Sequence, residues 1–172
     1  ALMSRGLGDV YKRQGQTACL TCSAGHYCEA GASAPLPCPS GRHQNGTMTA
    51  LNLSMTSAED CVECPAGAFC STGAAEPTEC SPGTVQPATE QGTCIKCEAG
   101  KYQHGQGETA CFECVAGSYC EAGASAALPC PSGRHQNGTM SAHNISMTSV
   151  DDCISCPAGS FCSTGAAEPT EC

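Results

Sequence analysis

Five Cys-x-x-Cys pairs punctuate the sequence, at Cys19/Cys22, Cys61/Cys64, Cys94/Cys97, Cys111/Cys114 and Cys153/Cys156. Thiols at that spacing can exchange with disulfides, ligate zinc as thiolates, or form structural cystines. Redox exchange needs an electropositive setting and, for a thioredoxin-like site, a βαβ context. These pairs stand in acidic, repetitive sequence with no such pattern. Zinc is a closer rival, because Cys94/Cys97 and Cys111/Cys114 are separated by thirteen residues, as in a four-thiolate site. Zinc sites need ligands in fours, whereas most units run C-x2-C-x5-C-x9-C with unequal loops between. His26 becomes Ser118 in the second copy described below, and His143 replaces Leu51. His43 and His135 recur, but without a neighbouring cysteine. Structural cystines are therefore expected, with no metal, no cofactor and no catalytic residue.

Composition agrees with a stapled scaffold. Cysteine supplies 18 of 172 residues, with 20 Gly, 11 Pro and no Trp. From Gly15 onward only 22 residues are Val, Ile, Leu, Met, Phe or Tyr, too few for one sizeable core. Covalent links must offset the conformational entropy instead. The net charge of −9 argues against nucleic acid and anionic membrane surfaces as partners.

The chain is internally duplicated. Residues 15–80 and 107–172 align at an offset of 92 with 52 identities in 66 positions. Between them, residues 81–106 hold a shorter cysteine-rich unit. Within each unit a Gly and an aromatic follow the Cys-x-x-Cys: Tyr27, Phe69, Tyr102, Tyr119 and Phe161. One ring per unit suggests that each covers a disulfide. Gly and Pro interrupt every helical period, so strands of two to four residues in hairpins are the most regular structure expected. "QNGT" at 44–47 and 136–139 carries an Asn-Gly turn signal. "EAGASAPLPC" and "STGAAEPTEC" read as extended connectors.

Spacing alone does not fix connectivity. One economical parsing makes each C-x-x-G segment a loop closed at the next Cys-x-x-Cys: Cys38–Cys61, Cys80–Cys94, Cys97–Cys111 and Cys130–Cys153. Small inner loops follow, Cys22–Cys28, Cys64–Cys70, Cys114–Cys120 and Cys156–Cys162. Cys19 and Cys172 then pair outside this chain, in an array continuing beyond both ends. All four Asn residues, Asn45, Asn52, Asn137 and Asn144, lie in N-x-S/T sequons and are candidate N-glycosylation sites. The Glu59-Asp60 and Asp151-Asp152 pairs read as solvated loop charges, and two adjacent carboxylates without an ordered ligand loop are a weak basis for calcium.

The motifs "CxxCPAGxFC", "CPSG…C" and "CSPGT…GTCIKC" resemble the cysteine-rich repeats of the tyrosine-kinase ephrin type A/B receptor-like domain. That domain is similar in turn to tumour-necrosis-factor-receptor and EGF-like modules. The resemblance spans about residues 19–172. It departs from the pattern in the extra Cys after the aromatic, the long sequon-bearing loops, and "CEAG" or "CSAG" for "CPAG". It implies a small disulfide-rich fold, an elongated tandem array in the ectodomain of a secreted or surface protein. The expected role is a non-enzymatic extracellular stalk, adhesion surface or ligand-binding ectodomain. Its partners would be a protein or glycan ligand and neighbouring repeats, with any membrane tether outside this chain. The alternatives are an intracellular zinc-binding cysteine array and a signalling-receptor ectodomain lacking its membrane span and effector domain.

The first fourteen residues differ from everything after them. "SRGLGDVYKRQ", residues 4–14, is encoded letter for letter by a transposase adapter used in sequencing libraries, so residues 1–14 read as adapter-derived and are set aside. Without them the formal charge is −11, from 4 basic and 15 acidic residues.

Overall fold

The computed structural model describes residues 9–11, 20–143 and 145–172. Its building block starts as a turn. In "CPSGR" the Arg42 N–H donates to the Pro39 carbonyl at 3.0 Å, and Gly41, third in the turn, has φ 88°. That is the signature of a type II turn, whose third position favours glycine. The same turn, with the same bond, recurs at Gly25, Gly67, Gly83, Gly100, Gly117, Gly133 and Gly159.

Each turn launches a two-residue strand, which pairs antiparallel with a second strand ending at a cysteine. Hairpin 1 is irregular and joins β1 (Asp9–Tyr11) to β2 (Leu20–Thr21). Hairpin 2 joins β3 (His26–Tyr27) to β4 (Leu36–Pro37), hairpin 3 joins β5 (Arg42–His43) to β6 (Val62–Glu63), and hairpin 4 joins β7 (Ala68–Phe69) to β8 (Thr78–Glu79). Hairpin 5 joins β9 (Thr84–Val85) to β10 (Ile95–Lys96), and hairpin 6 joins β11 (Lys101–Tyr102) to β12 (Phe112–Glu113). Hairpin 7 joins β13 (Ser118–Tyr119) to β14 (Leu128–Pro129), hairpin 8 joins β15 (Arg134–His135) to β16 (Ile154–Ser155), and hairpin 9 joins β17 (Ser160–Phe161) to β18 (Thr170–Glu171). The closing cysteine returns to its own turn: Cys38 N–H donates to Gly25 O at 2.9 Å and Cys64 N–H to Gly41 O at 2.8 Å.

Isolated two-stranded hairpins are marginal in water, and here each of hairpins 2 to 9 carries a cystine as its staple. Eight disulfides join Cys22–Cys28, Cys38–Cys61, Cys64–Cys70, Cys80–Cys94, Cys97–Cys111, Cys114–Cys120, Cys130–Cys153 and Cys156–Cys162. Their Cα atoms lie 5.7–6.0 Å apart. Two wirings occur. The cysteine before the turn bridges either to the cysteine six residues on, as Cys22 to Cys28, or to one just before the second strand, as Cys38 to Cys61. In the second wiring the residue six positions on is always glutamine: Gln44, Gln86, Gln103 and Gln136. The protein is thus a small disulfide-rich fold of short hairpins.

The core is mostly sulfur. Cys38, Met55 and Cys61 cluster with Tyr27 and Met48, and Cys130, Met147 and Cys153 cluster with Tyr119 and Met140. Tyr27 and Tyr119 therefore cover disulfides. Phe161 does not join such a cluster and stays 55% exposed, while Tyr102 packs on Phe112 with ring centroids 5.8 Å apart.

The chain forms two compact units, residues 1–79 with 88–93, and residues 80–87 with 94–172. Within each, backbone bonds join successive hairpins by one rule. The residue six beyond the pre-turn cysteine donates its N–H to the next hairpin's loop. In the first unit these bonds run Cys28 to Met55, Gln44 to Ala74 and Cys70 to Gln91. In the second they run Gln86 to Glu108, Gln103 to Ala124, Cys120 to Met147 and Gln136 to Ala166. A second rule skips one hairpin: Gly73 N–H donates to Cys38 O, Glu90 N–H to Cys64 O, Gly123 N–H to Cys97 O and Gly165 N–H to Cys130 O.

Two expectations are corrected. The "QNGT" segments do not make hairpin turns. They open five-residue helices, α1 (Gly46–Ala50) and α2 (Gly138–Ala142), because the preceding Asn side chains cap the free amides. "EAGASAPLPC" and "STGAAEPTEC" are not connectors between modules but the loops and returning strands of hairpins 2, 4 and 9.

Candidate functional site: the long loops and their clefts

The longest loops lie between β5 and β6 and between β15 and β16, and each is built in the same way. Asn45 caps α1, its Oδ1 accepting from the Thr47 N–H at 3.1 Å and the Met48 N–H at 3.2 Å. After α1, Asn52 adopts φ 54°. The Asn52 N–H donates to Thr49 O at 3.0 Å and the Leu53 N–H to Met48 O at 2.8 Å. That paired bonding is a Schellman motif, which tolerates Asn in the left-handed position. Both sequon asparagines of this loop thus bracket one short helix. Asn137 caps α2 through the Thr139 N–H at 3.1 Å, and Asn144 lies outside the described residues.

Each loop then returns through a single 3-10 turn, Ala58–Asp60 or Val150–Asp152, directly before the bridging cysteine. Asp60 Oδ2 accepts from the Thr56 N–H at 2.7 Å, the Ser57 N–H at 3.0 Å and the Thr56 hydroxyl at 3.1 Å. Asp152 repeats this with Thr148 and Ser149. These two carboxylates are therefore not merely solvated charges. Burial pushes the Asp60 carboxyl up, but the hydrogen bonds from Thr56 and Ser57 outweigh it and hold its pKa below the ordinary aspartate value. At Asp152 the Thr148 backbone bond is the largest influence, burial opposes it, and the pKa is again lowered. Their neighbours Glu59 and Asp151 are exposed.

Between the first long loop and hairpin 2 lies an open cleft of about 600 Å³, lined by residues that include Ser23, His26, Gln44, Asn52, Leu53 and Ser54. Gln44 closes its floor. Its Oε1 accepts from the Gly25 N–H at 2.8 Å and its Nε2 donates to Thr49 Oγ1 at 2.6 Å. The equivalent cleft of about 450 Å³ in the second copy is lined by residues that include Glu113, Val115, Gln136, Ile145 and Met147. Gln136 accepts from the Gly117 N–H at 2.8 Å and donates to Ser141.

The histidines do not converge. His43 and His135 keep their Nδ1 atoms buried without a hydrogen-bond partner, and His104 stacks on Phe112 at 5.5 Å. His26 and His143 bond backbone carbonyls, Ala24 at 2.8 Å and Thr139 at 2.7 Å. Among the described residues no three of His, Cys, Asp and Glu gather as a metal site. No Cys-x-x-Cys pair is itself bridged: Cys61 goes to Cys38, whereas Cys64 goes to Cys70. Cys172 is exposed and unbridged among the described residues, and Cys19 lies outside them. No described helix is long and apolar enough to cross a membrane.

Sequence reasoning missed several structural residues. Gln103 is only 1% exposed, with Nε2 donating to Ala110 O at 2.6 Å and Oε1 accepting from the Gly105 N–H at 2.9 Å. Arg42 Nε sits 2.7 Å from Glu90 Oε1, while its terminal nitrogens reach Glu63 Oε1 at 3.4 Å and Cys61 O at 3.0 Å. The fixed spacing of glutamine after cysteine was the available signal for the first. Nothing local foretells the second, since 48 residues separate its partners. No family model matches the chain, and neither does any curated protein.

Proposed function

We infer that the chain is an extracellular, disulfide-stapled repeat region, acting as a stalk, adhesion surface or ligand-binding ectodomain rather than as an enzyme. The observation that carries this reading is the commitment of sixteen cysteines to eight local bridges. Bridges at that density form and persist in oxidising compartments. Half-cystines make up most of the buried hydrophobic residues among those described, so reduction would release the links that hold that interior together. The intracellular zinc array is disfavoured by the same bridges, because a disulfide sulfur is not a thiolate ligand. The two carboxylates with the clearest environments, Asp60 and Asp152, each accept through Oδ2 from two backbone amides and a threonine hydroxyl. That favours a scaffold role for them over acid–base chemistry. The repeated hairpin surface suits weak, multivalent engagement of a protein or glycan ligand. The resemblance to ephrin receptor-like repeats supports the same reading.

The test is expression through a eukaryotic secretory pathway and through a reducing cytosol. The proposed function predicts a secreted, protease-resistant chain in which alkylation before reduction labels none of the sixteen bridged cysteines. Chelator-sensitive folding with free thiols in the soluble product would contradict it.

A further inference from the structure

The cleft beside Asn52 carries more than its volume. About 600 Å³ falls in the range of small-ligand sites. Its floor is fixed by Gln44, whose amide oxygen accepts from Gly25 and whose amide nitrogen donates to Thr49. Its walls are not so committed: among the described residues the Ser23 and Ser54 hydroxyls have no partner within the protein. The sequon asparagine stands in the lining itself, exposed and held in the left-handed conformation by the Schellman motif. Leu51 and Leu53 flank it, 63% and 49% exposed. Large aliphatic side chains are thus left uncovered at a cavity of mixed polarity, and a sequon attachment point lies between them.

We propose that the cleft is the seat of the first N-acetylglucosamine of a glycan borne by Asn52. Asn52 Nδ2 bonds the anomeric carbon of a lipid-diphosphate-linked oligosaccharide. The bond from that carbon to the diphosphate breaks, and the amide proton leaves with the diphosphate. The sugar hydroxyls and acetamide then bond Ser23 and Ser54, and the apolar ring face covers Leu53. Asn45 differs, because its Oδ1 is occupied in capping α1 and it is half-buried. The proposal rests on the extracellular reading, since only the secretory pathway supplies the donor.

The rival account is that Asn52 serves only as a helix C-terminal cap. Two variants separate the roles. Ser54→Ala destroys the sequon and keeps the cap, whereas Asn52→Gly keeps the left-handed turn and removes the acceptor. The whole chain is secreted from a eukaryotic host, Asn52 occupancy is read by glycopeptide mass spectrometry, and the glycan is trimmed enzymatically to one N-acetylglucosamine. Amide exchange at Asn52–Met55 and Thr21–Ser23 is then compared with that of both variants. The proposal predicts an occupied Asn52, with exchange slowed about threefold to tenfold in the trimmed protein, the scale of one net hydrogen bond. A bare Asn52 on a secreted, fully bridged chain would overturn the proposal while leaving the extracellular reading intact. So would an occupied Asn52 whose trimmed form exchanges like Ser54→Ala. Free thiols in the secreted chain would sink both.

Discussion

The backbone N–H of Gln44 donates to the carbonyl of Ala74 at 3.0 Å, tying one hairpin to the next. The half-cystine Cys28 makes the same bond to Met55 O at 3.0 Å. The position six residues after the pre-turn cysteine is therefore a fixed backbone node. What varies is how its side chain is stapled, through sulfur or through a carboxamide. Where it is cysteine the bridge is local, and where it is glutamine the bridge moves across to the start of the second strand.

Exchange of one staple for the other follows. In the double variant Gln44→Cys/Cys61→Ala, Cys38 is expected to bridge to the new thiol at position 44 instead of to position 61, and the hairpin is kept. Non-reducing peptide mapping reads the new bridge. A free thiol at position 44 in the folded variant would show that the node does not set the wiring.

Gln103 is the most buried polar side chain of this kind. Gln103→Ala strands the Ala110 carbonyl and the Gly105 N–H, and is expected to cost about 1–3 kcal/mol in denaturant unfolding. Gln44→Ala, at a half-buried site, should cost less.

The turn glycines separate conformational strain from packing. A Cβ on Gly117 collides with the Gly165 carbonyl, whereas one on Gly159 meets nothing within 4 Å, and both have positive φ, 73° and 83°. Both alanine variants share a left-handed penalty of roughly 1–2 kcal/mol. Gly117→Ala adds an overpacking cost of about 1–3 kcal/mol. Equal thermal shifts in the two variants would mean that the close approach of hairpins 7 and 9 contributes nothing to stability.

Much of this was legible before the structure. Cysteine, glycine and proline spacing announces stapled hairpins, because those residues have few other uses at such density. Gln44 and Gln103 were not legible, since glutamine carries no conformational signature and only its register with cysteine marks it. The asparagines misled by carrying two meanings at once: "NGT" reads as a turn and as a sequon, yet Asn45 and Asn137 cap helices too short to show any period. Asp60 and Asp152 looked like solvated charge because their partners are backbone amides, which sequence does not display. Met55 and Met147 gave no periodic signal either, although each completes a sulfur core.

The capping carboxylates set an acid limit. Asp60 and Asp152 have folded-state pKa values below their ordinary value, so the ionised form favours folding. That contribution is present above about pH 4 and is lost as pH falls through the folded values. Asp60→Asn/Asp152→Asn should lower the thermal midpoint at pH 7, with the difference from the parent shrinking as pH falls below about 4. A constant difference across that range would exclude the carboxylate charge as the cause.

Loop length ranks the bridges. By chain entropy, the Cys38–Cys61 bridge, with 23 residues of separation, should stabilise by about 3.4 kcal/mol and Cys64–Cys70, with 6, by about 2.2 kcal/mol. Paired alanine replacements compared by reversible unfolding check the order. The reverse order would place native-state packing above unfolded-state entropy.

The most direct test of the stapled-hairpin scaffold is cystine mapping of the secreted, non-reduced chain by mass spectrometry. The account predicts eight linked peptide pairs, each confined to one hairpin, with Cys61 linked to Cys38 and Cys64 to Cys70. A peptide joining two hairpins, such as Cys22 to Cys38, or a bridge within any Cys-x-x-Cys pair, would contradict it.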